Sequence, residues 1–168
     1  MKLPAKHKAL IEKLQVRYPF KLPLAYYYEG KAGNPEAREQ KAFMHCLRTE
    51  FADILGYDTY TEMHKGKPVE RETWRAVIVA TADFYSASAS RQMEQFLHMG
   101  YSPGTPDIVL LVRQQSYVGC IIEMKSLRGY ASQNQQKTLS FLKEQGFSCH
   151  VCQGFLVALD VWLTYLGY

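Results

Sequence analysis

Long apolar runs are missing from this chain of 168 residues. No stretch approaches the roughly 18 consecutive apolar residues of a membrane-spanning helix. The opening MKLPAKHKALIEKL spreads its charges through the segment instead of placing an apolar block behind a basic start, so neither insertion nor export is expected. Cysteine is also scarce: Cys46, Cys120, Cys149 and Cys152 are too few for a dense disulfide framework, and three of them lie in apolar stretches, which suits reduced thiols in a cytosolic protein. Internal repeats and low-complexity tracts are absent.

Apolar residues make up 47% of the chain and aromatics 13%, enough to fill one core, so residues 1–168 are expected to form a single domain. The net charge of +4 is carried by the first segment, where Lys2, Lys6, Lys8, Lys13 and Arg17 face only Glu12. Beside the aromatic stretch YPFKLPLAYYY this basic arm suits a polyanion, because lysines neutralise phosphates and tyrosines stack on bases. The same residues also fit a solvated amphipathic helix with Leu10, Ile11 and Leu14 on its inner face.

Periodicity predicts helices over 5–17, 34–51, about 86–99, 132–145 and 154–166. Asn34 and Pro35 offer a cap and a first-turn residue for the second, on which Glu36 and Gln40 share a face. Residues 18–33 read as a connector and 56–73, polar and charged, as an exposed loop. WRAVIVATADF, DIVLLVR (107–113), YVGCIIEMK (117–125) and FSCHVC read as strands, the middle two forming a hairpin.

Chemistry concentrates in that hairpin. Side chains two apart on a strand share a face, so Glu123 and Lys125 project together while Ile122 and Met124 face the other way. If Gln114, Gln115 and Ser116 form the turn, Arg113 pairs with Tyr117 and Asp107 falls opposite Glu123; a two-residue turn would shift the register by one. Cross-strand Cβ atoms lie about 4.5 to 5.5 Å apart, so two carboxylates there repel, and a hard cation relieves the repulsion by accepting their oxygens. Such an ion polarises a phosphoryl oxygen, with Lys125 placed to offset transition-state charge. An ordinary surface hairpin is the competing reading. Gly104-Thr105-Pro106, a turn delivering Asp107 to the start of a strand, favours the metal site. Cys149-His150-Val151-Cys152 has the spacing of a zinc knuckle but no second pair to complete it, and reads as a core strand. His45, on the Glu36 helix, could approach the ion or simply pack.

GTPDIVLLV, GCIIEMKS and SQNQQKTLSFLKEQGFSCHVC together resemble the virus-type replication-repair nuclease (VRR-NUC) branch of the PD-(D/E)XK nucleases. The matching positions are Gly104, Pro106, Asp107, Glu123, Lys125, Ser132, Gln135, Leu142 and Gly146, and PEAREQ is similar to the family's acidic helix, with Glu36 in the metal-facing place. The Pro-Asn-Gly-like segment of many members is replaced by ATADFYSASAS. The resemblance implies an α/β restriction-endonuclease-like core over 34–168 behind a basic and aromatic extension, 1–33. It implies Mg²⁺ or Mn²⁺ held by Glu36, Asp107, Glu123 and the Met124 carbonyl, with Lys125 and Gln135 completing the catalytic set. It further implies a homodimer acting on branched DNA in the cytoplasm of a bacterial or phage-infected cell. The final helix offers more apolar surface than one face of a small sheet needs, which makes Trp162, Tyr165 and Leu166 the candidate subunit contacts. Lys6, Lys8, Lys13, Arg17, Arg91, Arg128 and Lys137 are the expected DNA contacts. A nuclease of simple duplex or single-stranded DNA, or a non-catalytic nucleic-acid-binding module of the same fold, are the alternatives.

Overall fold

The computed structural model describes residues 5–17, 35–79 and 104–168. Asn34, the 18–33 connector, the segment ATADFYSASAS and the helix expected over about 86–99 lie outside the described residues. Helices α1 (Ala5–Arg17) and α2 (Pro35–Glu50) stand where periodicity places them, and a short α3 (Ala52–Leu55) follows. Next come β1 (Asp58–His64), β2 (Lys67–Thr73), β3 (Val77–Val79), β4 (Ile108–Leu110), β5 (Cys120–Lys125), α4 (Gln133–Glu144), β6 (Ser148–Gln153) and α5 (Phe155–Leu166).

The central sheet runs β3-β4-β5-β6, antiparallel up to β5 and parallel between β5 and β6, with α4 as the crossover. β5 is buried along its whole length, as a strand covered on both faces must be. Cys120, Ile122 and Met124 join Ile108, Leu110 and Cys152 in the main core, against Phe43, Leu47, Leu159 and Trp162 of α2 and α5. The alternate residue Ile121 and α4's Leu139 are buried outside that cluster, and Glu123 shares Ile121's face by the two-residue period.

Residues 58–73, expected as a loop, form an antiparallel hairpin in register from Asp58↔Thr73 to His64↔Lys67. It is exposed on both faces, so no apolar alternation marks it. Its turn is set by Lys65 and Gly66 at φ 49° and 75°, the left-handed pair a tight hairpin needs. A diagonal ion pair, Arg71 to Glu62 at 2.7 Å, and an anchoring pair, Arg48 to Glu72 at 2.8 Å, tie it down.

The β4–β5 hairpin corrects two further expectations. Regular pairing on the first strand stops at Leu110, where 107–113 was expected. The turn is the two-residue Gln115-Ser116, with Gln114 and Tyr117 exchanging both backbone bonds at 3.2 and 2.9 Å. Even so, Ile108 pairs with Ile122 and Leu110 with Cys120, the register a three-residue turn would have given. The first strand carries one more residue between ladder and turn than the second. Between them the strands part, since Leu111 N–H donates to Ala76 and Val118 N–H to Gly146.

The candidate subunit contacts on α5 are largely spent inside the monomer. Trp162 is fully buried, edge-on to Phe51 and stacked on Tyr165, and the Tyr165 hydroxyl donates to the Val112 carbonyl at 2.5 Å. Only Leu166 stays partly exposed. Likewise α1 packs on α5 through Ile11 and Leu14, and Lys13 is paired with Asp160 at 3.0 Å, so the basic helix has a structural face. Leu14 has no solvent exposure. Leu14→Ala is therefore expected to cost about 2 to 5 kcal/mol, read as a lowered urea midpoint at unchanged slope; an unaltered midpoint would show α1 does not contribute to the core.

Candidate metal centre

The β4–β5 register, extended one residue beyond Ile108↔Ile122, brings Asp107 opposite Glu123. The approach to Asp107 passes through Gly104 at φ 96°, where a Cβ would stand 3.0 Å from the Asn134 backbone at the start of α4. The turn can pack this closely only with glycine there. The Met124 N–H donates to Asp107 Oδ2 at 2.7 Å and locks that carboxylate onto β5.

Glu36 arrives from α2. One carboxylate oxygen each from Glu36, Asp107 and Glu123 lies within 4.8 Å of the others. The Lys125 ammonium sits among them, 2.7 Å from Glu36 Oε1 and 2.8 Å from Glu123 Oε1. Gln135 closes the fourth side: its Nε2 donates to Glu123 Oε1 while its Oε1 accepts the Ser132 N–H in a capping box that starts α4. Both hydrogen bonds to Glu123 thus fall on one oxygen. Its Oε2 is buried with no partner among the described residues, a costly position for a bare acceptor and one a cation would satisfy.

Burial pushes the Asp107 carboxyl up to about 6 even though the Met124 N–H and Lys125 pull it down. Burial and then the Asp107 charge push Glu123 up to about 7, against Lys125. For Lys125 burial acts downward, but Glu123 and Glu36 outweigh it and raise the ammonium above its usual range. Near neutrality the cluster holds a charged lysine between acids reluctant to ionise together, the electrostatics that favour a divalent cation. The acidic group offers only oxygen donors, which suits a hard ion such as Mg²⁺ or Mn²⁺.

The expected residues Glu36, Asp107, Glu123, Lys125 and Gln135 therefore meet in one place, and Met124 reaches the cluster through its amide N–H. His45 is not in the acidic group. Arg128 and Lys137 are exposed, and Lys13 is engaged with Asp160. The side chains of Lys6, Lys8 and Arg17, and all of Arg91, lie outside the described residues. Cys149 and Cys152 are an odd number of residues apart on β6 and so face opposite ways; burial lifts the Cys152 thiol to about 12, which makes it an inert core residue. Sequence reading passed over Glu39, which is 1% exposed and accepts the Phe155 N–H at 2.9 Å. Its three-residue spacing from Glu36 was the available signal.

A family model described as the VRR-NUC domain matches residues 62–156, a span holding Asp107, Glu123, Lys125 and Gln135 but not Glu36. A solved structure described as a VRR_NUC domain protein is similar with a TM-score of 0.55 at 20% identity, over 80% of this chain and 90% of its own. At that identity the likeness speaks for the fold. No curated protein matches.

The raised carboxyls fix a pH dependence. Their folded-state values of about 6 and about 7 exceed the unfolded values near 4, so their contribution to stability is full at low pH and is lost as pH rises through 6 to 7. Without divalent cations, the urea stability of wild type relative to Glu123→Gln is expected to decline between pH 5 and 8. A difference that stays flat over that window would contradict the assignment.

Proposed function

The chain belongs to the VRR-NUC family, a nuclease family, and from that membership we propose that it is a divalent-metal-dependent endonuclease hydrolysing phosphodiester bonds in DNA, preferentially branched DNA. The observation that carries the reading is the unpartnered Glu123 oxygen beside Asp107 and Glu36, with Lys125 among them. In it Glu36, Asp107, Glu123 and the Met124 carbonyl hold Mg²⁺ or Mn²⁺. The ion supplies Lewis-acid polarisation of a phosphoryl oxygen.

The chain's own groups do the rest. Lys125, kept protonated by its two acids, offers positive charge where negative charge grows on the phosphoryl group. Gln135 is held by the Ser132 cap and fixes one Glu123 oxygen, so the other keeps a constant aim. Met124 N–H does the same for Asp107. Arg128 and Lys137, both exposed, would meet the phosphodiester backbone. A binding module without chemistry gives no reason to bury Glu123 and Lys125 at 0% and 6% exposure beside a third acid.

Asp107→Asn and Glu123→Gln are each expected to abolish cleavage, on a panel of linear, flapped and four-way DNA with Mg²⁺ or Mn²⁺, while the circular dichroism stays native. Lys125→Ala should lose most turnover yet still bind metal. Wild-type rates from any of the three would remove that residue from the site.

Junction resolution needs two cuts, and the described residues hold one such cluster, so the same reading includes a homodimer whose two-fold axis matches that of a four-way junction. Its contact lies away from Trp162 and Tyr165, which the core already covers. Light scattering at micromolar concentration is expected to give twice the chain mass of 19.3 kDa; a value near the single-chain mass would exclude the dimer.

A further inference from the structure

Glu39 follows Glu36 by three residues on α2, so both carboxylates leave the same side of the helix. Glu39 Oε2 accepts the N–H of Phe155, the first residue of α5, at 2.9 Å. A helix start usually takes such a bond from a Ser, Thr, Asp or Asn at its own N-cap. Here the N-cap is Gly154, which offers no side chain. Nor is there room for one: φ is 95°, and a Cβ would stand 2.8 Å from Leu127 Cδ2 and 3.3 Å from Glu39 Oε2. The cap is supplied from another helix instead.

The Gly154 N–H in turn donates to the carbonyl of Lys125 at 2.9 Å. Two successive backbone amides, Gly154 and Phe155, therefore grip the end of β5 and the side of α2 at one point. A nearly fully buried carboxylate is costly unless it is hydrogen-bonded, and the positive end of a helix is a favourable place to keep one. One turn away along α2, Glu36 meets the Lys125 ammonium.

We propose that Glu39 is a positioning residue for the metal centre: by capping α5 from α2 it sets α2 against the end of β5, and so holds the Glu36 carboxylate within reach of Asp107, Glu123 and Lys125. The proposal rests on the metal-centre reading of that cluster. It makes Glu39 act on the ion through Glu36 alone.

The test is Mn²⁺ titration calorimetry on the full chain without DNA, with melting temperatures recorded in parallel. Glu39→Ala is expected to bind Mn²⁺ about tenfold or more weakly than wild type. Its kcat should fall while its KM for DNA holds. Glu39→Gln, which keeps an oxygen to accept the Phe155 N–H, should restore affinity. In a Glu36→Ala background, Glu39→Ala should add no further loss. Leu163→Ala, a fully buried α5 substitution, should lower the melting temperature and leave Mn²⁺ affinity intact. Losses that add in the double variant, a Gln variant as weak as Ala, or an equal loss in Leu163→Ala would each overturn the proposal. Should Glu39→Ala fail to fold, Gly154→Ala presses on the same contact with Glu39 retained, and unchanged Mn²⁺ affinity there would also overturn it. Tight wild-type binding that Glu39→Ala leaves untouched sinks this inference alone, whereas a wild type that binds no Mn²⁺ sinks the metal centre and this inference with it.

Discussion

Lys125 is 6% exposed and Glu123 is not exposed at all, so each charge would be intolerable without the other and without Glu36. Removing one partner from such a buried set typically costs about 3 to 5 kcal/mol, because the remaining charge is left desolvated. That requirement fixes much of the architecture. β5 must end where α2 passes, α4 must begin where Gln135 can reach Glu123, and the Gly104 turn must lie flat on α4 so that Asp107 can join β5.

The apolar core makes this geometry rigid. Ile122 and Met124 alternate with Glu123 and Lys125 on the same strand, so the packing that buries the first pair against α2 and α5 also sets the height and direction of the second. The site is thus a by-product of strand alternation on one side and helix starts on the other. The starts of α2 and α4 supply Glu36 and Gln135 to it, while at the start of α5 the Gly154 and Phe155 amides hold the Lys125 carbonyl and Glu39 beside it.

Where the sequence misled, hydrophobic periodicity was the cause. The β1–β2 hairpin is wet on both faces and reads as loop because its stability comes from backbone pairing, a left-handed turn and ion pairs. α5 reads as having apolar surface to spare, yet α1, α2, β5 and β6 all pack on it, and one helix covered by four elements must be apolar nearly all round. The β4–β5 turn shows a subtler failure. Its length differs from the expected one, and an extra residue on the first strand, which parts from its partner as Leu111 turns to Ala76 and Val118 to Gly146, restores the register.

Local rules were enough for the sequence alone to determine helices at 3.6-residue spacing and Glu123 and Lys125 on one face by the two-residue period; the Ser132–Gln135 helix start and the nuclease family were legible through the resemblance that these motifs and Asp107 carry to known nucleases. Only the tertiary structure decided that Glu36 meets Lys125 across 89 positions, that both hydrogen bonds to Glu123 fall on one oxygen, that Glu39 caps a helix 116 residues away, and that Trp162 is a core residue. Periodicity fixes the direction in which a side chain leaves its own element. Which distant element it then meets depends on how the whole core packs, and no short stretch of chain contains that information.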